Sequence, residues 1–318
     1  MRLLPDVLEQ LGVSIRLLRE SSLKTRLAFI LIDNVVELTV RAKCNRLAAT
    51  WWVPLDLRER KWVRGGGFRD LTKVLERQAV IDTALKSSLD TCHDIRNLTY
   101  HRGDSFESVL SELATFYFQA SCDLITNAFG TDSVYFDDDA VATEVRELRR
   151  GATQLSGEDR INVAHLIQYI TSIGPKQERS LANTLADEVR ERVQEFDQAL
   201  AFIQDHIGDG HSAIEGVQQH WLRALGPKAP IVEYGDDGIN YEQAWKEYLD
   251  DAEKYLPGRR FLKKSPVETW HKAANRLRHK PSPDAIREYK RVMDDLNPLL
   301  DAADDIARNI AQLDDRPE

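Results

Sequence analysis

The chain has 318 residues, 42% of them hydrophobic and 30% charged, with a formal net charge of −9. That length supports two domains, the mixture is that of an ordinary globular protein, and no run of 18 apolar residues is present to cross a membrane. The opening MRLLPDVLEQLG carries acids and a proline and does not read as a secretory leader. Cys44, Cys92 and Cys122 follow no metal-ligand spacing and are odd in number. A reduced, cytoplasmic location is expected from this.

The predicted elements are helices throughout, so the expected class is all-α. A short helix near 5–19 comes first. Residues 23–48 follow as one long helix, whose Leu27, Ile30, Leu31, Val35, Val36, Leu38 and Val40 cover most of its circumference. Such a helix belongs at the centre of a bundle. Pro54 and the run Gly65–Gly66–Gly67 read as a loop. The apolar positions Leu71, Val74, Leu75, Ala79, Ile81 and Leu85 predict one helix over 68–92. A last helix over 105–128 starts from an expected capping box of Asp104 and Glu107. Together these make a four- to five-helix bundle over residues 1–130.

The turn residues and acidic run at 130–139 are read as a domain boundary. Beyond it lies an acidic, all-helical region, 140–318, read as regulatory or partner-binding. Leu181, Leu185, Val189, Val193, Phe196, Leu200 and Ile203 recur every three or four residues. So do Val292, Leu296, Leu299, Ala303, Ile306, Ile310 and Leu313. Both read as long amphipathic helices with coiled-coil-like seams. Residues 226–240 read as a long loop with a short strand at Ile231–Tyr234.

Charge is unevenly placed. Residues 1–130 hold 18 basic and 16 acidic side chains, while 41–77 alone hold ten basic against four acidic. Trp51, Trp52 and Trp62 are interleaved there. Arg58, Arg60, Lys61 and Arg64 are therefore candidates for contact with RNA.

Walker A, HExxH, paired CxxC and GxSxG motifs are all absent from the sequence. The chemistry-bearing stretch is His93-Asp94-Ile95-Arg96-Asn97-Leu98-Thr99-Tyr100-His101-Arg102-Gly103-Asp104. An Arg fork grips a phosphate through two parallel donors, and a His titrates near neutrality. Internal RNA cleavage uses the RNA's own 2′-hydroxyl as nucleophile. The protein then supplies only proton transfer and charge stabilisation, so neither metal nor cofactor is expected. The spacing by itself is common: Arg160 and His165 repeat it and read as a surface pair. Upstream, Asp33, Glu37 and Arg41 form one stripe at i, i+4 and i+8 on the apolar helix, and charges there need partners such as Arg96 or Arg102.

Residues 27–38 followed by Ile95–Gly103 resemble the prokaryotic HEPN domains, helical bundles that include many ribonucleases with an R-x4–6-H motif. The resemblance covers the first ~130 residues. It implies a metal-independent endoribonuclease acting as a toxin or anti-phage effector, dimeric through this domain. By the same resemblance Arg96 polarises the phosphate, His101 is general acid or base, and Asn97 is the polar residue after the Arg. Glu37 and Arg41 correspond to the family's upstream Glu-x3-basic element. Gly103 stands where the adenylylated toxins carry a tyrosine, so that form of control is not implied. An antitoxin or sensor protein would dock on the C-terminal region. The alternatives are a non-catalytic helical module that binds a protein or nucleotide, and a coiled-coil scaffold. His206, His211 and His220, with Asp205, Asp209 or Glu215, form a weaker metal pattern. His271, Arg276, Arg278 and His279 read as a basic surface patch.

Overall fold

The computed structural model describes residues 3–20, 24–50, 53–102, 107–134, 142–156, 161–177, 179–206, 212–225 and 265–314; side chains of residues 3, 98–102, 107, 219, 222–225, 313 and 314 are outside that description. The protein is all-α, as the periodicity predicts. Among the described residues there are twelve α-helices, and the sole β pairing is an isolated bridge between Ser133 and Asn162. None of these helices is long and apolar enough to cross a membrane. The chain forms two compact units, Met1–Leu185 with Lys280–Arg287, and Ala186–His279 with Glu288–Glu318.

In the first unit, α1 (Leu3–Glu20) and α2 (Thr25–Ala49) lie against each other, and α6 (Leu110–Phe129) packs on α2. The helices α3 (Leu57–Gly65), α4 (Phe68–Arg77) and α5 (Thr83–Arg102) also contact α2. This makes α2 the central helix. It is rich in β-branched residues, which favour strands weakly. Burial overrides that preference: Ala28, Phe29, Ile32, Val35, Val36 and Val40 are all at most 1% exposed. The helices α7 (Thr143–Ser156) and α8 (Val163–Ile173) complete this unit, α7 against α1 and α8 against α6. The segment 131–134 thus lies inside the first unit, which continues past residue 139 to Leu185.

Two elements differ from the sequence reading. The expected loop before Gly65 contains α3, which opens on a full capping box: Glu59 N–H donates to Asp56 Oδ1 at 2.7 Å, and Asp56 N–H donates to Glu59 Oε2 at 2.8 Å. The expected single helix 68–92 is two helices. Its break is a Schellman motif, in which Val80 N–H donates to the Leu75 carbonyl and Ala79 N–H to the Glu76 carbonyl, with Ala79 at φ 54°. That position normally holds glycine. Asp82 then caps α5 through Leu85 N–H at 2.7 Å. The break turns α5 back along α2 and α6. The expected cap at Asp104 and the expected strand at Ile231–Tyr234 lie outside the described residues.

The second unit contains α9 (Leu181–His206) from Ala186, α10 (Ala213–Leu225), α11 (Val267–Leu277), and α12 (Ser282–Asp314) from Glu288. The predicted seam on α9 is buried at Val189, Val193, Phe196, Leu200 and Ile203; that on α12 is buried at Val292, Leu296, Leu299 and Ala303, while Ile306 and Ile310 near its end are half-buried. Phe196 and Trp270 meet edge to face at 5.4 Å. Pro298 lies within α12 and removes one backbone donor there.

Ala79 in the left-handed region is strained by about 1–2 kcal/mol. Replacing it by glycine relieves that strain against a smaller entropy cost. Ala79→Gly is expected to stabilise the protein by about 0.5–1 kcal/mol in urea unfolding; a variant less stable than wild type would contradict the motif.

Candidate active site on α2 and α5

The site is built around one buried carboxylate. Asp33 lies on the inner face of α2 and is fully buried. Taking a carboxylate out of water costs several kcal/mol unless it is paired and hydrogen-bonded. Three groups from two helices supply the pairing. From α6, the Tyr117 hydroxyl donates to Asp33 Oδ1 at 2.7 Å. From α5, His93 Nδ1 lies 3.0 Å from Oδ1 and 3.2 Å from Oδ2. Also from α5, Arg96 Nε lies 2.8 Å from Oδ2, off the N–H line, so that contact is an ion pair rather than an aligned hydrogen bond.

Glu37, one turn further along α2, joins the same cluster. Its Oε1 lies 3.6 Å from Arg96 Nη2 and 3.5 Å from His93 Nδ1. Arg96 Nη1 donates to Asn97 Oδ1 at 2.9 Å. The guanidinium is thereby held on several sides, yet its side chain keeps 25% of its surface exposed. Phe68, the first residue of α4, stacks on the His93 ring with centroids 4.2 Å apart and an interplanar angle of 22°. Beside it, Arg69 pairs with Asp94.

Position on α5 follows from the register. His93 and Arg96 are three residues apart, so they stand about 60° from each other on one face. His101 is five residues beyond Arg96, about 140° round and about 7.5 Å along the axis. The backbone of α5 reaches Arg102, but the side chains of His101 and Arg102 lie outside the described residues.

Of the predicted residues, Arg96, Asn97, Asp33 and Glu37 come together. Arg41 is exposed further along α2, with no ion pair among the described residues. Arg58, Arg60, Lys61 and Arg64 are all exposed on α3. Arg60, Lys61 and Arg64 line a shallow depression with Leu57 and Gly65. Trp62 has cations over its ring, Arg58 at 4.5 Å, Arg77 at 5.4 Å and Lys73 at 5.7 Å from the centroid. The residues that sequence reasoning missed are His93, Tyr117 and Phe68. The i, i+3 spacing of His93 and Arg96 was a readable signal for the first. Nothing in the sequence linked Tyr117 or Phe68 to Asp33.

Asp33, Glu37 and His93 present donor atoms within 4.8 Å of one another, a geometry suited to a cation. The cation here is the Arg96 guanidinium, which lies against both carboxylates. With His93 neutral, the two carboxylates and one guanidinium leave the cluster with a surplus negative charge; a protonated His93 cancels it. Burial by itself pushes the His93 pKa down. The hydrogen bond to Asp33 and the charges of Asp33 and Glu37 outweigh both burial and repulsion from Arg96, and the pKa ends above its ordinary value.

The other features have quieter settings. All three cysteines are free and buried, and burial pushes the thiols up, those of Cys44 and Cys122 to about 12. They are unreactive at neutral pH. Arg160 lies outside the described residues; His165 is half-buried in the first turn of α8, its backbone N–H held by the Asn162 cap. His211 and Asp209 also lie outside them, while His206 Nδ1 contacts the Phe202 carbonyl and His220 faces Asp305 at 3.9 Å. The basic cluster on α11 is matched by acids: Arg276 pairs with Glu288 at 3.0 Å, and Arg278 with Asp187.

No protein-family model matches the chain, and no curated protein or solved structure matches it significantly.

The raised pKa of His93 is a statement about stability. The charged His93 is favoured in the folded state. Its contribution is therefore complete below the unfolded value of about 6.5 and is lost as pH rises through the folded value. The melting temperature of wild type relative to His93→Gln is expected to fall over that interval and be level on either side. Asp33→Ala strands Arg96 and is expected to cost about 3–5 kcal/mol at neutral pH. A pH-independent difference between wild type and His93→Gln in calorimetry would contradict this assignment.

Proposed function

We propose that the chain is a metal-independent endoribonuclease of the HEPN type, acting in the cytoplasm as a toxin or anti-phage effector. The observation that carries the reading is the setting of Arg96. A guanidinium oriented by a buried carboxylate, beside a polar Asn97 and partly open to solvent, suits a phosphate contact that must hold its shape. It stands on the helix that also carries His101. In this reading Arg96 polarises the scissile phosphate, and His101 removes the proton from the 2′-hydroxyl. Asp33 and Glu37 position Arg96, while Asn97 steadies its outer nitrogen. Arg102 and Arg41 add positive charge near the site. Arg58, Arg60, Lys61 and Arg64 bind the RNA backbone. Two chains pair through the N-terminal domain, residues 1–130, to double the number of catalytic groups, and the acidic region 140–318 serves an antitoxin or sensor protein.

A second reading has support in the same contacts. Asp33, Glu37 and Asn97 all engage the guanidinium, and that engagement also suits a purely structural Arg in a non-catalytic partner-binding module. Activity separates the two.

Expression of the wild type in a bacterium is expected to arrest growth and degrade RNA, and His101→Ala to abolish both. With purified protein, products should carry 2′,3′-cyclic phosphate or its opened form, with EDTA without effect. Arg96→Lys should fail, because an ammonium replaces neither the fork nor the contact with Asp33. Magnesium-dependent cleavage leaving 3′-hydroxyl ends would overturn the mechanism, and light scattering of an active, strict monomer would remove the dimer. Neutralising Arg60, Lys61 and Arg64 together should flatten the salt dependence of single-strand binding by about 0.7 per lost phosphate contact. An unchanged slope would take α3 out of the RNA path.

A further inference from the structure

The ribonuclease reading leaves one chemical step without a group. Cleavage by the 2′-hydroxyl needs a base for the attacking oxygen and an acid for the departing 5′ oxygen. His101 accounts for one of these, and its place on α5 is about 140° round from Arg96.

We propose that His93 is the proton donor to the leaving 5′ oxygen, acting beside Arg96 on the same phosphate. This rests on the ribonuclease reading. His93 and Arg96 share the face of α5 turned toward α2, and both contact Asp33. Nδ1 of His93 is committed to that carboxylate, which sets the tautomer and leaves Nε2 as the functional nitrogen. Nε2 has no hydrogen-bond partner among the described residues, and the side chain keeps 14% of its surface exposed. Phe68 stacks on the ring and holds its plane. An imidazole oriented by a buried carboxylate, clamped by an aromatic ring and with its second nitrogen unbonded among the described residues has the parts a general acid needs.

The charged groups around the ring favour its protonated form. From α2 come Asp33 and Glu37; from α6 comes the Tyr117 hydroxyl, itself bound to Asp33; from α5 comes Arg96. From α4, Arg69 is neutralised by Asp94. Protonation of His93 also cancels the surplus negative charge that would repel a phosphate. One proton thus serves binding and departure. In the step itself, the 2′ oxygen forms a bond to phosphorus as its proton passes to the base. The bond from phosphorus to the 5′ oxygen breaks, and that oxygen takes the proton from Nε2. The products are a 2′,3′-cyclic phosphate and a 5′-hydroxyl. His93, left neutral on Asp33, regains its proton from water.

The test uses the full-length protein and two oligoribonucleotides of the same sequence. One is ordinary, and the other carries sulfur in place of the bridging 5′ oxygen at the position the wild type cleaves. A thiolate leaves without needing a proton. His93→Gln is expected to lose about 100-fold or more on the ordinary substrate, to lose the basic limb of the pH–rate profile, and to cleave the sulfur substrate at close to the wild-type rate. Equal losses on both substrates, or no loss on either, would overturn the role. Should the variant fail to fold, the wild type answers alone: its basic limb should coincide with the NMR titration of the His93 ring and vanish on the sulfur substrate. A limb that persists there, or that does not follow His93, overturns the proposal. A wild type that cleaves no RNA would instead defeat the underlying ribonuclease reading.

Discussion

The structure of the first unit depends on keeping one carboxylate charged inside a helical core. Asp33 sits among Phe29, Ile32 and Val36, all at most 1% exposed. Its neighbours in space are whatever the surrounding helices bring to within about 3 Å. That requirement orders the bundle. The α5 helix must present His93 and Arg96 toward α2, and α6 must present Tyr117. A rotation of α5 by one residue, about 100°, would carry both cations away and leave the acid stranded. An interior that was only hydrophobic would accept more than one register. A buried acid with three fixed partners accepts one, which is a known use of polar groups in cores.

The same constraint connects fold to chemistry. A guanidinium that solvates a buried carboxylate is already oriented, so any further contact it makes costs little added ordering. The price is electrostatic: two carboxylates near one guanidinium oppose an incoming anion, and His93 is the group able to reverse that balance. Its pKa lies above the ordinary value because Asp33 and Glu37 together outweigh burial and Arg96. The cluster therefore couples proton uptake to anion tolerance, whatever the anion is. Phe68 ties the arrangement to α4, whose neighbour α3 carries Trp62 and the exposed Arg58 over its ring.

The helical pattern was legible wherever the apolar residues alone decided it. The seam on α9 and that on α12 as far as Ala303 are buried as their spacing predicts, since a repeat of three and four puts one stripe on one face. The central place of α2 followed from an apolar surface too wide for a peripheral helix. The failures have specific causes. The helix α3 was legible in principle, because Asp56 and Glu59 spell a capping box, but Pro54 and three glycines drew attention to a loop. The break between α4 and α5 was not legible. Its left-handed residue is Ala79 rather than glycine, and the apolar spacing runs through the turn without interruption. Hydrogen bonds of the helix end and the packing beyond it hold Ala79 in a conformation its side chain disfavours.

For the candidate site the division is similar. Sequence alone placed Asp33 and Glu37 on one stripe of a buried helix and marked Arg96 or Arg102 as a partner, because charge on an apolar helix must be compensated. It set Arg96, Asn97 and His101 in one short stretch between two expected helices, where the structure instead continues α5 to Arg102. Only the tertiary structure decided that Asp33 is the hub, that His93 is the imidazole on the Arg96 face, and that Tyr117 and Phe68 complete its setting. The reason is physical. Spacing within a helix determines which residues share a face, and periodicity of 3.6 can be read from one segment. Which face of α5 meets which face of α2 depends on packing between segments sixty residues apart, and no local pattern carries that information.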